Sequence, residues 1–410
     1  MIQPSMQMSS RANIADCSAG CERSVLTKIG GFMSRALPAL TGLRFVAALA
    51  VFLFHFGAGW SERAHFPSAV TDFLKHGFFG VSVFFILSGF ILSHQYAGRL
   101  NGVRDVVYFY TSRVARIYPV YLLALALAFP LTQRMSLASG ATVLLMIQSW
   151  GPAWSDAGYL WVTQAWTLSV EVAFYLCFPI LSAIVGRIAN GYAVIGVVIA
   201  SILMVAFALP LISPQAAVHH DFVDALLGFP LPLLRMVEFV YGMLLCQVFS
   251  TVTHWHHSRL TSSFAVSANI LVIVGLLTSS VNSHWLSLAA VLFGLLIYQL
   301  AADRTWLSSL LSQRWALVLG GASYAFYLLQ GPVRAWLKMV VPNESLGAAI
   351  NPVALIVLSI LVYRWFEEPA RDIIKRSAGS LTRRRERIGS SVDRSSIIKS
   401  LVRFSPKSQR

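Results

Sequence analysis

An arginine and a histidine interrupt the first long apolar stretch of the chain, residues 41–55 (TGLRFVAALAVFLFH). In a continuous α-helix Arg44 and His55 share one face and stand roughly 16 Å apart, because each residue adds about 100° and 1.5 Å. Ionisable side chains in such a stretch are costly unless they face a bundle interior or a wet cavity. The pair therefore predicts a site for a long ligand, charged at one end and reactive at the other. The alternatives are an arginine that snorkels to the interface and a histidine held by a structural hydrogen bond.

A second pair of cations, Arg113 and Arg116, lies in the sequence YFYTSRVARIYPVYLL. The i,i+3 spacing puts both side chains on one face of a helix. Pro119 disfavours helix at Tyr118 and suits the first turn of the next span, so we expect a short separate juxtamembrane helix that carries the arginines. As an alternative, two arginines at this position are ordinary signals of a cytoplasmic boundary.

Polar side chains also lie inside two later spans. Glu171 is about one turn into the stretch QAWTLSVEVAFYLCFP, and Thr167 and Tyr175 share its face. A carboxyl group there costs about 2.5 kcal/mol or more if it faces lipid, so we expect it to point inward and to be paired or protonated. A structural ion pair with an arginine is the alternative. Within GGASYAFYLLQGPV, a polar stripe is formed by Ser323, Tyr324, Tyr327 and Gln330.

The composition predicts an all-α, polytopic membrane protein, since 56% of the residues are apolar and only 12% are charged. Ten apolar stretches have about the length needed to span the bilayer. Residues 138–150 are too short for a crossing, and we expect them to be interfacial or re-entrant. The parity of the spans and the arginines after the second one put both termini in the cytoplasm. The ten stretches are residues 36–58, 77–96, 117–131, 166–185, 192–212, 231–249, 264–280, 285–301, 317–337 and 351–366.

Charge and composition divide the chain into three parts. Residues 1–35 are expected to be a flexible cytoplasmic tail without a cleavable signal, and residues 36–370 a transmembrane domain. Residues 371–410 hold twelve Lys and Arg against three Asp and Glu, out of a net charge of +15 for the chain. This basic tail is typical of a cytoplasmic segment near anionic lipid. A tail that binds nucleic acid is disfavoured, because Phe404 is the one aromatic residue among the charges of this segment and no series of stacking aromatic residues is interleaved with them.

Several further residues are interpreted as structural. The small residues Gly80 and Gly89 are expected to let a neighbouring helix approach closely. Arg235 and Glu238 are spaced to pair with each other, and Pro369 is expected to end the last helix at the cytoplasmic face. Cys177 and Cys246 lie in apolar spans as small hydrophobic residues, while Cys17 and Cys21 are expected to be reduced in the N-terminal tail. The loop histidines have no metal-ligand spacing, so no metal is expected; they are His219, His220, His254, His256 and His257.

Taken together, these stretches resemble the acyltransferase-3 family of integral membrane enzymes, which acylate cell-surface glycans and related acceptors. The resemblance covers about residues 37–371 and rests on six motifs in the order of the family. Where the family often has a histidine, this chain has Gln330, which can hydrogen-bond but not transfer protons. The hydrolase-like domain that some members carry after the membrane part is not expected here. The six motifs are Arg44 with His55, GVSVFFILSGF at 80–90, RVARIYPVY at 113–121, WTLSVEVAFY at 166–175, SYAFYLLQ at 323–330 and EEP at 367–369.

The resemblance implies transfer of an acyl group, usually acetyl, from cytoplasmic acyl-CoA to a hydroxyl group of a carbohydrate, in the inner (plasma) membrane. Arg113 and Arg116 would hold the phosphates of the coenzyme, and Arg44 would contact the donor at a second point. His55 would be the general base on the acceptor hydroxyl, and Glu171 would orient the imidazole or stabilise its cation. Ser323, Tyr324 and Gln330 are further candidates for lining the site.

Two other function classes compete with the enzyme. Intramembrane charges also mark transport paths, so a carrier or flippase that moves an acyl donor or a glycan intermediate without covalent change is the main alternative. A scaffold for envelope assembly does not need Arg44, His55, Arg113, Arg116 and Glu171 in the membrane zone. The acceptor, the acyl chain, a covalent acyl-enzyme and the oligomeric state are not readable from the sequence.

Overall fold

The structure is a computed structural model, and it describes residues 36–131, 137–150, 161–188, 190–212, 230–252, 258–279, 283–302 and 304–377. Every regular element within these ranges is helical, which confirms the predicted all-α class. In chain order the helices are α1 Pro38–Phe52, α2 Ala58–Arg63, α3 Ser68–Lys75, α4 Phe79–Tyr96, α5 Val103–Ala128, α6 Leu137–Leu144, α7 Trp166–Val185, α8 Asn190–Ile212, α9 Leu231–Leu234, α10 Met236–Val252, α11 Arg259–Thr278, α12 Ser283–Ala302, α13 Trp306–Leu311, α14 Arg314–Val340 and α15 Glu344–Val362.

Eight helical stretches in the described part of the chain are long and apolar enough to cross a membrane. Two shorter apolar helices, Tyr192–Val205 and Leu286–Ala302, match the two remaining predicted spans. The chain is therefore a multi-pass membrane protein, while the cytoplasmic location of the termini stays a prediction. The eight stretches are Pro38–Arg63, Ser68–Tyr96, Val103–Leu131, Thr163–Val185, Leu231–Ser250, Arg259–Thr278, Arg314–Val340 and Ser345–Ser377.

Several sequence predictions lie outside the described residues. They concern the tail 1–35 with Cys17 and Cys21, residues 378–410 of the basic tail, and the loop histidines 219, 220, 254, 256 and 257.

The described residues form two compact units. The first comprises residues within 1–97, 180–229 and 233–320, and the second comprises residues within 98–179, 230–232 and 321–410.

Glycines let the helices of the first unit approach closely. A Cβ atom on Gly89 of α4 would overlap the backbone carbonyl of Phe239 on α10, and one on Gly242 of α10 would overlap that of Ile86 on α4. In the same way, Gly80 lies against the Ala47 carbonyl of α1. Backbones that approach this closely gain van der Waals contact where lipid supplies no hydrophobic driving force. The packing role predicted for Gly80 and Gly89 is confirmed.

Buried polar pairs lie between the apolar faces of the first unit. Arg235 donates to Glu238 at 2.8 Å, which confirms the predicted pair, and its guanidinium lies 5.7 Å from the centre of the Phe85 ring. On α11 the amide of Asn269 donates to Gln299 Oε1 at 3.1 Å. Buried charges and amides with close partners cost far less than isolated ones.

The second unit is organised around α5. Tyr324 donates to the Ile117 carbonyl and Trp336 to the Leu127 carbonyl, both at 2.9 Å, so α14 runs parallel to α5. The ring of Phe109 stacks on Phe178 with centroids 5.2 Å apart, which joins α5 to α7. Helix α5 therefore sets the positions of residues from both neighbouring helices.

Two prolines do not end helices as the sequence predicts. Helix α5 is continuous from Val103 to Ala128 with Pro119 inside it, so Arg113 and Arg116 lie on the spanning helix itself. The last helix continues past Pro369 to residue 377, after a π-helical turn at Tyr363–Glu367. Both predictions were wrong because a helix packed in a bundle tolerates proline when neighbouring groups and local π adjustments satisfy its backbone.

Residues 137–150 form only an eight-residue helix, α6, followed by turns. Eight residues rise about 12 Å, so this segment does not cross the membrane as a helix. Tyr121 and Tyr118 of α5 donate to the carbonyls of Val143 and Leu144, at 2.6 and 3.3 Å. These bonds attach α6 to α5. The turn that follows includes Met146 at a φ of 55°.

Candidate functional site

The helix that carries Arg44 does not continue unchanged to His55. Helix α1 ends at Phe52, and residues Leu53–Gly57 form a π-helical turn in which the Ala58 N–H donates to the Leu53 carbonyl. The helix expected over residues 41–55 is present within the continuous helical stretch Pro38–Arg63, but the π-turn accommodates one extra residue and alters the register near His55. Turns of this kind are frequent at functional sites.

His55 is exposed at this π-turn, and Arg44 is half-buried about three turns earlier on α1. The imidazole has an aromatic ring on each side in sequence, with centroids 5.0 Å away at Phe54 and 6.0 Å away at Phe56. The backbone near the turn packs closely, because a Cβ atom on Gly77 would overlap the Ala50 carbonyl and touch Phe54. Both residues belong to the first unit.

Charged and phenolic side chains of the second unit converge in one group, which we call the arginine–carboxylate cluster. Its Arg113 has its guanidinium carbon 5.8 Å from the centre of the Phe109 ring and 5.7 Å from that of Tyr175. Cation–π contacts of this geometry hold a guanidinium in place while its N–H groups can still bind an anion. The members of the cluster are Arg113, Arg116, Glu171, Tyr175, Tyr324 and Glu367.

Two hydroxyl groups organise the rest of the arginine–carboxylate cluster. Tyr175 donates to Glu171, as their shared helix face predicts. Tyr324 donates to the Ile117 carbonyl, and the charges of Glu171, Glu367 and Arg116 all act on its hydroxyl group. The structure therefore brings together four of the predicted residues, namely Arg113, Arg116, Glu171 and Tyr324. Glu367, interpreted from the sequence as part of a helix end and of the closing EEP motif, is buried and is the fourth charged residue of the cluster.

Two further predicted residues lie on α14, the helix that carries Tyr324. Ser323 and Gln330 are fully buried, and the Gln330 amide donates to the Tyr327 carbonyl at 2.8 Å. Two further buried glutamines, Gln148 and Gln164, were not predicted as site residues. In the sequence, both are amides near tryptophans in apolar surroundings. This pattern does not distinguish a glutamine in a surface loop from one buried in the core.

No group of three or more His, Cys, Asp or Glu side chains within the described ranges is placed to hold a metal ion. The candidate residues described above carry guanidinium, carboxyl, imidazole, phenol and amide groups. Such groups bind anions and hydroxyls and transfer protons.

Comparisons with known proteins identify the family. The family model for an acyltransferase domain, Acyl_transf_3, matches residues 37–363. Acyltransferase MdmB of Streptomyces mycarofaciens is 33% identical over 321 residues, which cover 72% of this chain and 78% of that protein. O-acetyltransferase OatA of Staphylococcus aureus (strain NCTC 8325 / PS 47) is 20% identical over 387 residues, which cover 83% of this chain.

The match spans only 58% of the length of OatA. No solved structure shows a significant match to the chain. The family model covers more than half of the chain, and the resemblance read from the six motifs is confirmed. The chain belongs to the acyltransferase-3 family, and it is a membrane-embedded acyltransferase.

Proposed function

We propose that this protein is an O-acyltransferase of the inner (plasma) membrane, which moves an acyl group, acetyl in the simplest case, from cytoplasmic acyl-CoA to a hydroxyl group of a cell-surface or lipid-linked carbohydrate. The observation that carries this proposal is the arginine–carboxylate cluster, together with membership of the family. Arginines within a membrane-spanning unit indicate a functional site by default. The phosphates of coenzyme A are suitable ligands, because guanidinium forms charge-assisted, bidentate hydrogen bonds with them.

His55 is the proposed general base. Its imidazole takes the proton of the acceptor hydroxyl while the oxygen attacks the thioester carbonyl carbon. The C–S bond then breaks, coenzyme A leaves as a thiolate, and the proton passes from the imidazole to that sulfur. Proton transfer by a positioned histidine contributes about 10²- to 10⁴-fold to the rate. The position of His55 in the π-turn Leu53–Gly57 supports this role, since turns of this kind are frequent at functional sites.

Arg44 is proposed to contact the donor at a second point, and Glu171 to stabilise the imidazolium form of His55. The hydrogen bond from Tyr175 fixes one oxygen of Glu171 and leaves the other able to accept. Ser323 and Tyr324 are proposed to line the donor site beside the arginines.

Mass spectrometry of surface glycans tests this function. In a strain that lacks the protein, the mass of one surface glycan should be lower by one acyl group, about 42 Da for acetyl. The wild-type gene should restore the original mass. His55→Ala should fail to restore it although the protein is inserted at normal levels. The matched control is His65→Asn, because His65 is an exposed histidine at a φ of 56°, where asparagine is tolerated. Normal acylation by His55→Ala would reject the proposed base.

A further inference from the structure

Three glutamine side chains of the second unit form a buried group of amides, which we call the amide cluster. Gln148, Gln164 and Gln330 are only 1%, 4% and 0% exposed. The Oε1 atom of each has no hydrogen-bond partner within the described structure. A buried acceptor without a partner costs about 1–3 kcal/mol, so three in one unit indicate a ligand that donates hydrogen bonds.

Contacts join the three amides to one another through their chain neighbours. Gln148 Nε2 donates at 2.7 Å to the carbonyl of Ala165, the residue after Gln164. Gln164 Oε1 lies 3.2 Å from the position that a Cβ atom would take on Gly331, the residue after Gln330. The amide nitrogens of Gln148 and Gln330 are bound to backbone carbonyls, which fixes the rotation of both amides. Their oxygens are therefore held ready to accept.

An indole donor belongs to the same region. Trp161 precedes Gln164 by three residues, its buried Nε1 atom has no hydrogen-bond partner in the described ranges, and its ring packs 5.9 Å from Phe129. The amide cluster thus offers three acceptors and one donor but no charge. An anion such as phosphate is a poor ligand for it, because phosphate oxygens are acceptors and would face acceptors.

The amide cluster is separate from the arginine–carboxylate cluster along the same helices. Gln164 precedes Glu171 by seven residues, a rise of about 10 Å, and Gln330 follows Tyr324 by six residues, a rise of about 9 Å. Glu171 and Tyr324 belong to the same cluster, and Gln164 lies next to Gly331, so these similar rises put Gln164 and Gln330 at about the same level of the second unit. A neutral ligand at this level can lie next to an anionic donor held by the arginines.

We propose that the amide cluster is a binding site for the hydroxyl groups of a sugar, and that it selects and positions the acceptor. A sugar supplies several neighbouring O–H donors, and a site built to hydrogen-bond them rejects analogues that lack them. As an assignment of the acceptor site, this inference rests on the proposed function, but sugar binding itself is measurable without acyl transfer.

The test is saturation-transfer NMR on the full chain in lipid nanodiscs, with methyl glucoside, methyl mannoside, methyl galactoside and N-acetylglucosamine as probes. At least one sugar should receive saturation from the wild-type protein. Gln164→Met and Gln330→Met should each weaken its affinity about 5- to 100-fold, the loss expected for one buried hydrogen bond. Asn269→Leu is the matched control, since Asn269 is a buried amide of the first unit that also has a carbonyl oxygen without a partner.

Gly331→Ala separates the site from the fold. Alanine favours a helix by about 1 kcal/mol over glycine, yet the added methyl group would crowd Gln164 Oε1. This variant should lose sugar binding while its thermal stability is kept or increased. The inference would be overturned if none of the four sugars bound, or if a sugar bound equally well to the wild type and to every glutamine variant. Either result would indicate that the buried amides bind only water. Glutamine-dependent sugar binding by a protein that transfers no acetyl label would reject the proposed function alone.

Discussion

At the scale of single residues, the position of Arg113 depends on aromatic rings from two helices. Phe109 precedes it by one turn on α5, and Tyr175 comes from α7. The i,i+3 spacing predicted that Arg113 and Arg116 share a face, but the sequence did not indicate which rings would surround them. Ring contacts between helices depend on crossing geometry, which periodicity does not encode.

Replacing Arg113 by lysine should weaken donor binding although the charge is kept. An ammonium group is a point charge without the planar face that stacks on rings, and it cannot form a bidentate fork. We expect the KM for acetyl-CoA to rise about 3- to 30-fold, the equivalent of 0.5–2 kcal/mol of cation–π energy. Steady-state release of coenzyme A measures it, with Arg99→Lys as the control, because Arg99 is an exposed arginine of the same unit. An unchanged KM would remove Arg113 from the donor site.

Tyr175 permits a paired test of the same contact. Tyr175→Phe keeps the ring next to the guanidinium and removes only the hydroxyl group that donates to Glu171. Tyr175→Leu removes both. If the ring positions Arg113, the KM for acetyl-CoA should rise about 3- to 30-fold in the leucine variant and change little in the phenylalanine variant. Equal KM values in the two variants would show that the ring does not position the arginine.

At the scale of elements, α4 and α10 pack through reciprocal glycines, each against the backbone of the other helix. Gly89→Ala should therefore destabilise the first unit, since overpacking costs about 1–3 kcal/mol. The apparent Tm of the purified protein should fall by several degrees. Gly275→Ala on α11 is the control, because no atom lies within 4 Å of the added Cβ position. If both variants melt at the same temperature as the wild type, the close approach of α4 and α10 is not a stabilising contact.

Element positions were largely predictable, while local departures from α geometry were not. Hydropathy identified each apolar helix, and the small residues of α4 predicted its packing face. The π-turns at Leu53–Gly57 and Tyr363–Glu367 and the continuity of α5 through Pro119 escaped prediction. Their stability depends on neighbouring helices that satisfy the backbone, and such contacts join residues far apart in sequence. Gln148 and Gln164 escaped for the same reason, because their burial is a tertiary property.

At the scale of the whole molecule, the uneven distribution of arginine predicts the topology. The residues between the first two spans should lie outside the cytoplasm, and those after the second span inside it. In spheroplasts, a membrane-impermeant maleimide should label Arg63→Cys and should not label Arg99→Cys; both positions are exposed. The wild-type protein is the control, because its labelling gives the background from the native cysteines. Labelling of Arg99→Cys alone would invert the topology and put the arginines on the wrong side for cytoplasmic acyl-CoA.

The most direct test of acyl transfer follows the two halves of the donor separately. Membranes that contain the protein and its envelope glycans are given acetyl-CoA with ¹⁴C in the acetyl group and ³²P in the coenzyme. The account predicts ¹⁴C in the glycan fraction, an equal amount of ³²P in free coenzyme A, and loss of both changes in His55→Ala. If ¹⁴C and ³²P stay together on one molecule that only changes sides of the membrane, the protein is a carrier and the account is contradicted.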